Sequence, residues 1–444
     1  MEAELERSLR LRPRSRIAIV GGGPAGSFFA LHALQLANRL RLPIDVTIFE
    51  ARDFTAAGPP GCNMCAGILS RRTLDGLAAL GIALTPEVVM GRIRAYQLHW
   101  GDTVVAIRAA EPSREALSVY RAGGPRKSPH APTAGFDELL LRQAEARGAR
   151  IVPERVERVV FEPLPRVRTS SRDGRFDLLV LACGVNAAIP ELRHVRYTPP
   201  ETEPVAQNEL YLRAFPNPSS MHGAVHVYFE NPRGLVFGAL VPKGHFASVS
   251  LLGKGLARNS IDQFLRVPEV ARVVGDEQPR ACSCQPRIAV SPARGFFADR
   301  FVAVGDACVT RLYKDGIGSA FVTARAAAQT ALTRGIGREA FALHYAPVCR
   351  AIARDTRFGR VVFSLVHLSK RSNRFMRALT AVLQEENGTS APPVMGRILW
   401  SLFTGDVSYS RILGSMLHPR AVLRTLGAMC RAARRSGTVR AEER

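Results

Sequence analysis

The residues with the plainest chemical purpose are three glycines and an acid. Gly21, Gly23 and Gly26 form a G-x-G-x-x-G pattern within Gly21-Gly22-Gly23-Pro24-Ala25-Gly26, and Glu50 follows 24 residues after Gly26. The first glycine of such a pattern permits a tight turn, and the second lets backbone approach a pyrophosphate. The third allows close helix–strand packing, with the helix N-terminus turned to the anion. Alone the motif is weak. Here an apolar strand-like run at 16–20 precedes it and a helical run at 27–40 follows. A second strand-like run, 46–49, then delivers Glu50 at its tip. An acid there accepts ribose hydroxyls, which favours FAD or NAD over a 2′-phosphorylated NADP. Gly21, Gly23, Ala25, Gly26 and Glu50 are the expected dinucleotide contacts.

A distant second pattern separates FAD from NAD. Residues 301–304 read as a buried strand ending at Gly305-Asp306, and Asp315 then precedes Gly316-Ile317-Gly318 at a helix start. Asp306 suits the hydroxyls of a ribityl chain. The N–H groups from Gly316 to Gly318 suit negative charge on a reduced flavin. A nicotinamide dehydrogenase needs neither.

The elements that must position these residues span a long chain. At 444 residues it exceeds one ordinary core, so two or three structural units are expected. A hairpin is expected over 93–108 around Gly101-Asp102, and a helix from Phe136 to Arg147. Strand-like runs follow at 155–161, 166–170 and 177–182, and 205–252 alternates apolar and polar residues between turns, as an antiparallel sheet does. From Arg338 onward the pattern is helical, apart from the breaker-rich stretch 387–393. The expected class is α/β, α+β overall: a Rossmann-type FAD-binding domain, an antiparallel-sheet substrate domain and a C-terminal helical region. FAD-binding parts are assigned to 1–90, 116–190 and 286–337, substrate-domain parts to 91–115 and 191–285, and the helical region to 338–444.

The chain resembles the FAD oxidoreductases of the p-hydroxybenzoate-hydroxylase fold, and among them the geranylgeranyl reductase family. Arg121 with Phe136-Asp137, Leu139-Leu140 and Gly148-Ala149 is similar to that family's "R…FD…L…A…GA" stretch. The resemblance implies that Arg121 lies close to the flavin and that the Val156 backbone meets the adenine. Gly234-Leu235-Val236-Phe237 through Val241-Pro242-Lys243-Gly244 resembles the "W-x-F-P-K-G" hairpin, and Thr404-Gly405-Asp406 with Tyr409 the C-terminal helical segment. Related aromatic hydroxylases carry Asp-Gly after the strand at 177–182, used with FAD and NAD(P)H. Here Cys183-Gly184 stands instead, which counts against a hydroxylase. No second G-x-G-x-x-G occurs, so the reductant is NAD(P)H bound transiently or a protein electron carrier.

Composition excludes several classes. Forty-six percent apolar and 22% charged residues are those of a globular chain, not a disordered or collagenous one. Sixty-one Lys and Arg against 38 Asp and Glu give +23, and anionic partners fit that balance. The basic residues are spread without a recognition motif or aromatic interleaving, so nucleic acid is not an expected partner. Residues 17–38 carry no charge over a length that could span a membrane, but Gly21-Gly22-Gly23-Pro24 would break that helix. No secretory signal opens the chain, and a cytoplasmic setting is expected, peripheral at the inner face of the membrane.

Eight cysteines are too few for a disulfide scaffold. Cys62 and Cys65 lie in the loop after Glu50, which in this fold approaches the flavin ring. Cys282 and Cys284 lie in the segment before the strand at 301–304. Together they have the ligand count of a Cys₄ metal site, and three readings stay open: metal, flavin-adjacent thiols, or ordinary loop residues. Cys62, Cys65 and Tyr313 are the candidate proton donors. In the tail, 338–444 carries 18 basic and 7 acidic residues. On a helix over 419–435, Val422, Leu423, Leu426, Met429 and Cys430 share one face. Arg420, Arg424, Arg431, Arg434 and Arg435 share the other. Such a helix lies on anionic lipid or packs on the core.

The expected activity is FAD-dependent reduction of carbon–carbon double bonds in an isoprenoid or other lipophilic substrate. The alternatives are a flavin monooxygenase or halogenase of a small aromatic, and a membrane-surface electron-transfer flavoprotein.

Overall fold

A computed structural model describes residues 9–58, 66–109, 111, 114–130, 132–229, 234–257, 259–389 and 392–442, the last stretch from 432 as backbone only. The apolar run before the glycine turn becomes the strand Ser15–Val20, inside a six-stranded sheet. The order is Phe297–Ala298, Phe301–Ala303, Leu178–Leu181, Ser15–Val20, Ile44–Phe49 and Arg150–Val152. Every neighbouring pair is parallel except the first. Parallel strands are covered on both faces, and Ile17, Ile19 and Leu178–Leu181 are accordingly apolar and buried. Helices α1 (Pro24–Leu40), α2 (Phe136–Ala146) and α3 (Gly316–Thr333) pack together against this sheet. Val159 and Val167, from a small four-stranded sheet, join the same core.

A second, seven-stranded sheet stands beside it. Its order is Arg280–Cys284, Ala206–Tyr211, Phe246–Gly253, Leu235–Lys243, Ala224–Tyr228, Ala95–Trp100 and Thr103–Arg108. All pairs are antiparallel save Ala224–Tyr228 on Ala95–Trp100, where two distant stretches meet in parallel. Side chains alternate across the sheet. Tyr228, Leu240, Val249 and Leu251 pack with the helices Ser260–Leu265 and Pro268–Val274. On the other face, Val225, Val227, Phe237, Ala239 and Val241 meet Trp400 and Phe403 of the carboxy-terminal helices.

Those helices are α4 (Ala346–Ser369), α5 (Asn373–Asn387), α6 (Met395–Thr404), α7 (Tyr409–Met416) and α8 (Pro419–Glu442). No helix among the described residues is long and apolar enough to cross a membrane. The α8 expectation needs correcting. Ala421 and Ala428 are its buried residues, and Met429 packs with Ala428 on Ala378 and Val382 of α5. Arg424 turns inward to Glu386 (3.1 Å), and Arg431 pairs with Glu385 (3.0 Å). Leu423 and Leu426 are left 68% and 52% exposed. Small side chains let α8 lie close to α5, and two arginines reach back across the seam. The leucines therefore project outward. The Arg434 and Arg435 side chains fall outside the described residues.

His99 and His226 form a buried pair in the second sheet, ring nitrogens 2.9 Å apart, and His99 also stacks on Tyr228. Burial first, then the neighbouring His226 and Arg272, holds His99 down to about 3 from the ordinary 6.5. Burial lowers His226 too. Between those pH values the unfolded chain binds protons that the folded chain refuses, so stability falls as pH falls. Replacing His99 by Phe should flatten the decline of urea-unfolding midpoints below pH 6.5. An unchanged slope would assign the acid sensitivity elsewhere.

Candidate functional site

The glycine turn joins Ser15–Val20 to α1. Gly21 has φ 105°, and a Cβ there would lie 2.6 Å from the Ala182 carbonyl oxygen. At Gly26 a Cβ would lie 1.9 Å from the Gly21 oxygen, so α1 can sit this close only with glycine. Gly23 is different. A Cβ there would meet only Arg121 and Asp137, at ordinary contact distances of 3.6 and 3.8 Å. The protein itself leaves the space over Gly23 open. That space belongs to a cavity of about 420 Å³.

Glu50, at the end of its strand, braces the turn from the side. Its carboxylate accepts from the Gly22 N–H (2.8 Å) and the Arg52 N–H (2.9 Å). Each carboxylate oxygen can accept more than one bond, so Glu50 retains capacity for a sugar hydroxyl. Val156, Cys183 and Gly184 continue the same wall. Burial, with Glu50 adding to it, pushes the Cys183 thiol up to about 11.

Arg121 is fixed before any ligand arrives. Its guanidinium forks onto the fully buried carboxylate of Asp137, both bonds at 2.6 Å, at the first turn of α2. The arginine lines the cavity beside Gly23, where a locked cation would face a phosphate. Across the cavity, Gly305 and Asp306 follow the Phe301–Ala303 strand, and the Gly305 N–H donates to Thr323 on α3 (2.9 Å). Burial pushes the Asp306 carboxyl up, and Arg121 partly offsets this. Asp306, Gly316, Ile317 and Ala25 line the cavity. Gly318 packs instead on the Asp315 carboxylate. The group these residues fit is long and anionic at its middle, with hydroxyls toward both ends, as in a flavin dinucleotide.

The same cavity continues along the second sheet. Val225 and Val227, then Phe237, Ala239 and Val241, present alternate side chains to it, and Phe403 and Thr404 of α6 close it. Arg311 holds that closure. Its guanidinium donates to the carbonyls of Gly405 and Val407 beyond α6, and lies 3.3 Å from Asp355 and 3.7 Å from Asp315. The Tyr409 ring lies beneath it, and the Tyr409 hydroxyl donates to the Leu312 carbonyl.

The proton-donor and metal candidates fare differently. Cys62 and Cys65 lie outside the described residues. Tyr313 lines the cavity, but its hydroxyl donates to Glu203 (2.7 Å), and burial together with that carboxylate raises its pKa. Cys282 and Cys284 sit on the edge strand Arg280–Cys284, half-buried, and neither lines the cavity. Cys284 lies opposite Gln207 in the sheet, and Gln207 does line the cavity. Among the described residues no cluster of three or more His, Cys, Asp or Glu is arranged for a metal ion. Of the remaining cysteines, Cys308 and Cys349 are buried and Cys430 is exposed. Sequence reasoning missed Lys314, which lines the cavity. Its signal was composition: it is one of five lysines in a chain whose basic residues are otherwise arginine.

No protein-family profile and no curated protein matches the chain. Solved structures do. A geranylgeranyl bacteriochlorophyll reductase-like protein from Thermoplasma acidophilum superposes with a TM-score of 0.62 at 15% identity, over 94% of this chain and 100% of that one. The p-nitrophenol 4-monooxygenase of Pseudomonas putida gives 0.60 at 13%, over 88% and 98%. The halogenase PltM gives 0.57 at 12%, over 94% of each, and a variant of it was solved in complex with FAD. The chain has the fold these proteins share. At such identities the likeness is one of architecture alone.

Gly23→Ala isolates the ligand role of this turn, because its Cβ fits the protein. The variant should fold normally yet bind a dinucleotide on the order of tenfold more weakly, about the 1.4 kcal/mol of one displaced charge-assisted hydrogen bond. Undiminished dinucleotide binding by equilibrium dialysis would contradict the assignment.

Proposed function

We propose that the protein is an FAD-dependent oxidoreductase that reduces carbon–carbon double bonds of an isoprenoid-like lipid. One observation carries the reading. The dinucleotide cradle and an apolar chamber are parts of a single cavity, so a flavin and a lipophilic substrate can share it. The shared fold supports FAD as the dinucleotide, and the first of the similar structures above supports the reductase reading.

Each residue has a task in this scheme. Gly21, Gly23 and the start of α1 accept the pyrophosphate, with Arg121 held against it by Asp137. Glu50 takes the adenosine ribose, Val156 the adenine, and Asp306 the ribityl hydroxyls. The start of α3, Gly316-Ile317, faces the pyrimidine edge of the ring. When bound and reduced, the flavin supplies hydride to one alkene carbon, and a protein acid supplies the proton to the other. An isolated alkene is a poor electrophile, so water must be kept out. Val225, Val227, Phe237, Ala239 and Phe403 do this by walling the chamber with hydrocarbon.

The purified protein should be yellow and carry one FAD per chain. Reduced anaerobically, it should be reoxidised by a prenyl lipid, with mass spectrometry showing a gain of two hydrogens per double bond. Vigorous oxygen uptake stimulated by a small phenol, with no alkene reduction, would replace this reading by the monooxygenase or halogenase one.

A lipid substrate also calls for access to a membrane, and the outer face of α8 is suited to an anionic one. Leu423 and Leu426 project into solvent from it, with exposed Arg420 on the same helix and exposed Leu417 just before it, in a region of net positive charge. Exposed leucines insert among acyl chains while arginine meets headgroups. Replacing Leu423 and Leu426 together by Asp should abolish cosedimentation with phosphatidylglycerol vesicles while leaving flavin content unchanged. Unaltered partitioning would mean that this face does not meet lipid.

A further inference from the structure

The chamber beside the flavin cradle is lined by Val225, Val227, Phe237, Ala239 and Phe403, and a lysine stands among these apolar side chains. Lys314 lines it, half-buried, with its ammonium 4.4 Å from the centre of the Phe237 ring and 6.0 Å from that of Phe403. No carboxylate is paired with it among the described residues. The neighbouring acids are engaged elsewhere. Asp315 faces Arg311 and accepts from Thr73, Glu203 accepts from Tyr313, and Asp355 faces Arg311. Two aromatic faces attract a cation but give it no hydrogen-bond acceptor.

Such a group is costly to keep. Burial alone brings Lys314 down to about 7, with no acid to offset the loss of water. A methionine of similar length would fill the same space without that cost. An arginine, the basic residue this chain otherwise uses, would stay charged throughout. The arrangement is accounted for if the missing partner arrives with the ligand.

We propose that Lys314 anchors an acidic group of the substrate, so that the chamber takes an amphipathic molecule bearing one carboxylate on an apolar chain. The proposal rests on the reading of the chamber as the substrate site. It narrows that substrate from a lipid in general to an acidic one. Association forms a charge-assisted hydrogen bond from the ammonium to the carboxylate, screened from water by Phe237 and Phe403. The chain of the ligand then runs along Val225, Val227 and Ala239.

Decanoate and decanol, matched in length and differing in charge, are the probes. Both are titrated by calorimetry into the full FAD-loaded protein and its Lys314→Met and Lys314→Arg variants. The wild type should bind decanoate at least about tenfold more tightly than decanol at pH 6.5, as expected for one hydrogen bond between charged partners. Lys314→Met should lose that preference, Lys314→Arg should keep most of it, and both should retain flavin. Raising the pH to 9 should weaken decanoate binding in the wild type but not in Lys314→Arg, and should leave decanol unaffected. A merely structural lysine would produce none of these patterns. Equal affinity for the two probes, a preference that survives in Lys314→Met, or no binding of either overturns the proposal. In each of those outcomes a yellow protein leaves the cofactor reading standing. A colourless wild-type protein overturns the cofactor reading instead.

Discussion

Much of the site hangs on one buried guanidinium. Arg311 follows the turn at Gly305-Asp306, yet its hydrogen bonds go to Gly405 and Val407, at the junction of α6 and α7. It also lies against Asp355, which accepts from the first N–H groups of α7, and against Asp315, which precedes α3. One side chain thus ties the parallel sheet, α3 and the carboxy-terminal roof into a unit. Loss of that guanidinium would remove the cation that faces both Asp315 and Asp355, a cost of about 3–5 kcal/mol in comparable cases. The same loss would free α6, whose Phe403 closes the chamber.

The roof is secured a second time from its other end. Glu386, at the end of α5, accepts from the backbone N–H groups of Val394, Met395 and Gly396 as α6 begins, and Arg424 of α8 covers it. An acid at a helix start satisfies donors that would otherwise be unpaired and complements the helix dipole. With α6 held at its start by Glu386 and just past its end by Arg311, its apolar side stays on the sheet. The chamber is therefore a built cavity rather than a gap between loosely packed layers.

The fold supports reductases, monooxygenases and halogenases alike, so chemistry is decided by what lines the chamber and by which acid stands near it. Here the lining includes a row of aliphatic and aromatic side chains, with Lys314 standing among them. Tyr313, the acid that sequence position suggests, is already bound to Glu203 and made a weaker donor by it.

The strand, glycine turn and helix at the start of the chain were legible in the sequence because they are local to one another. A strand, a glycine turn, a helix and an acid-tipped strand lie within the first fifty residues, and backbone sterics dictate their relation. Residues 301–318 are legible for the same reason, as are the helices from Arg338 on, where periodicity repeats within each turn. Tertiary structure alone decided the rest. Ala95–Trp100 lies parallel to Ala224–Tyr228 because two distant apolar faces are buried together, and no local signal encodes that pairing. In α8 the helical period shows which residues share a side, but the fit of Ala421 and Ala428 on neighbouring helices chose the buried one. Charge behaves likewise. Lys314 in the sequence is an ordinary cation, and only Phe237 and Phe403, brought from two other elements, remove its water and leave it unpaired. Local geometry is written in neighbouring residues, whereas burial and electrostatics are set by residues that meet only after folding.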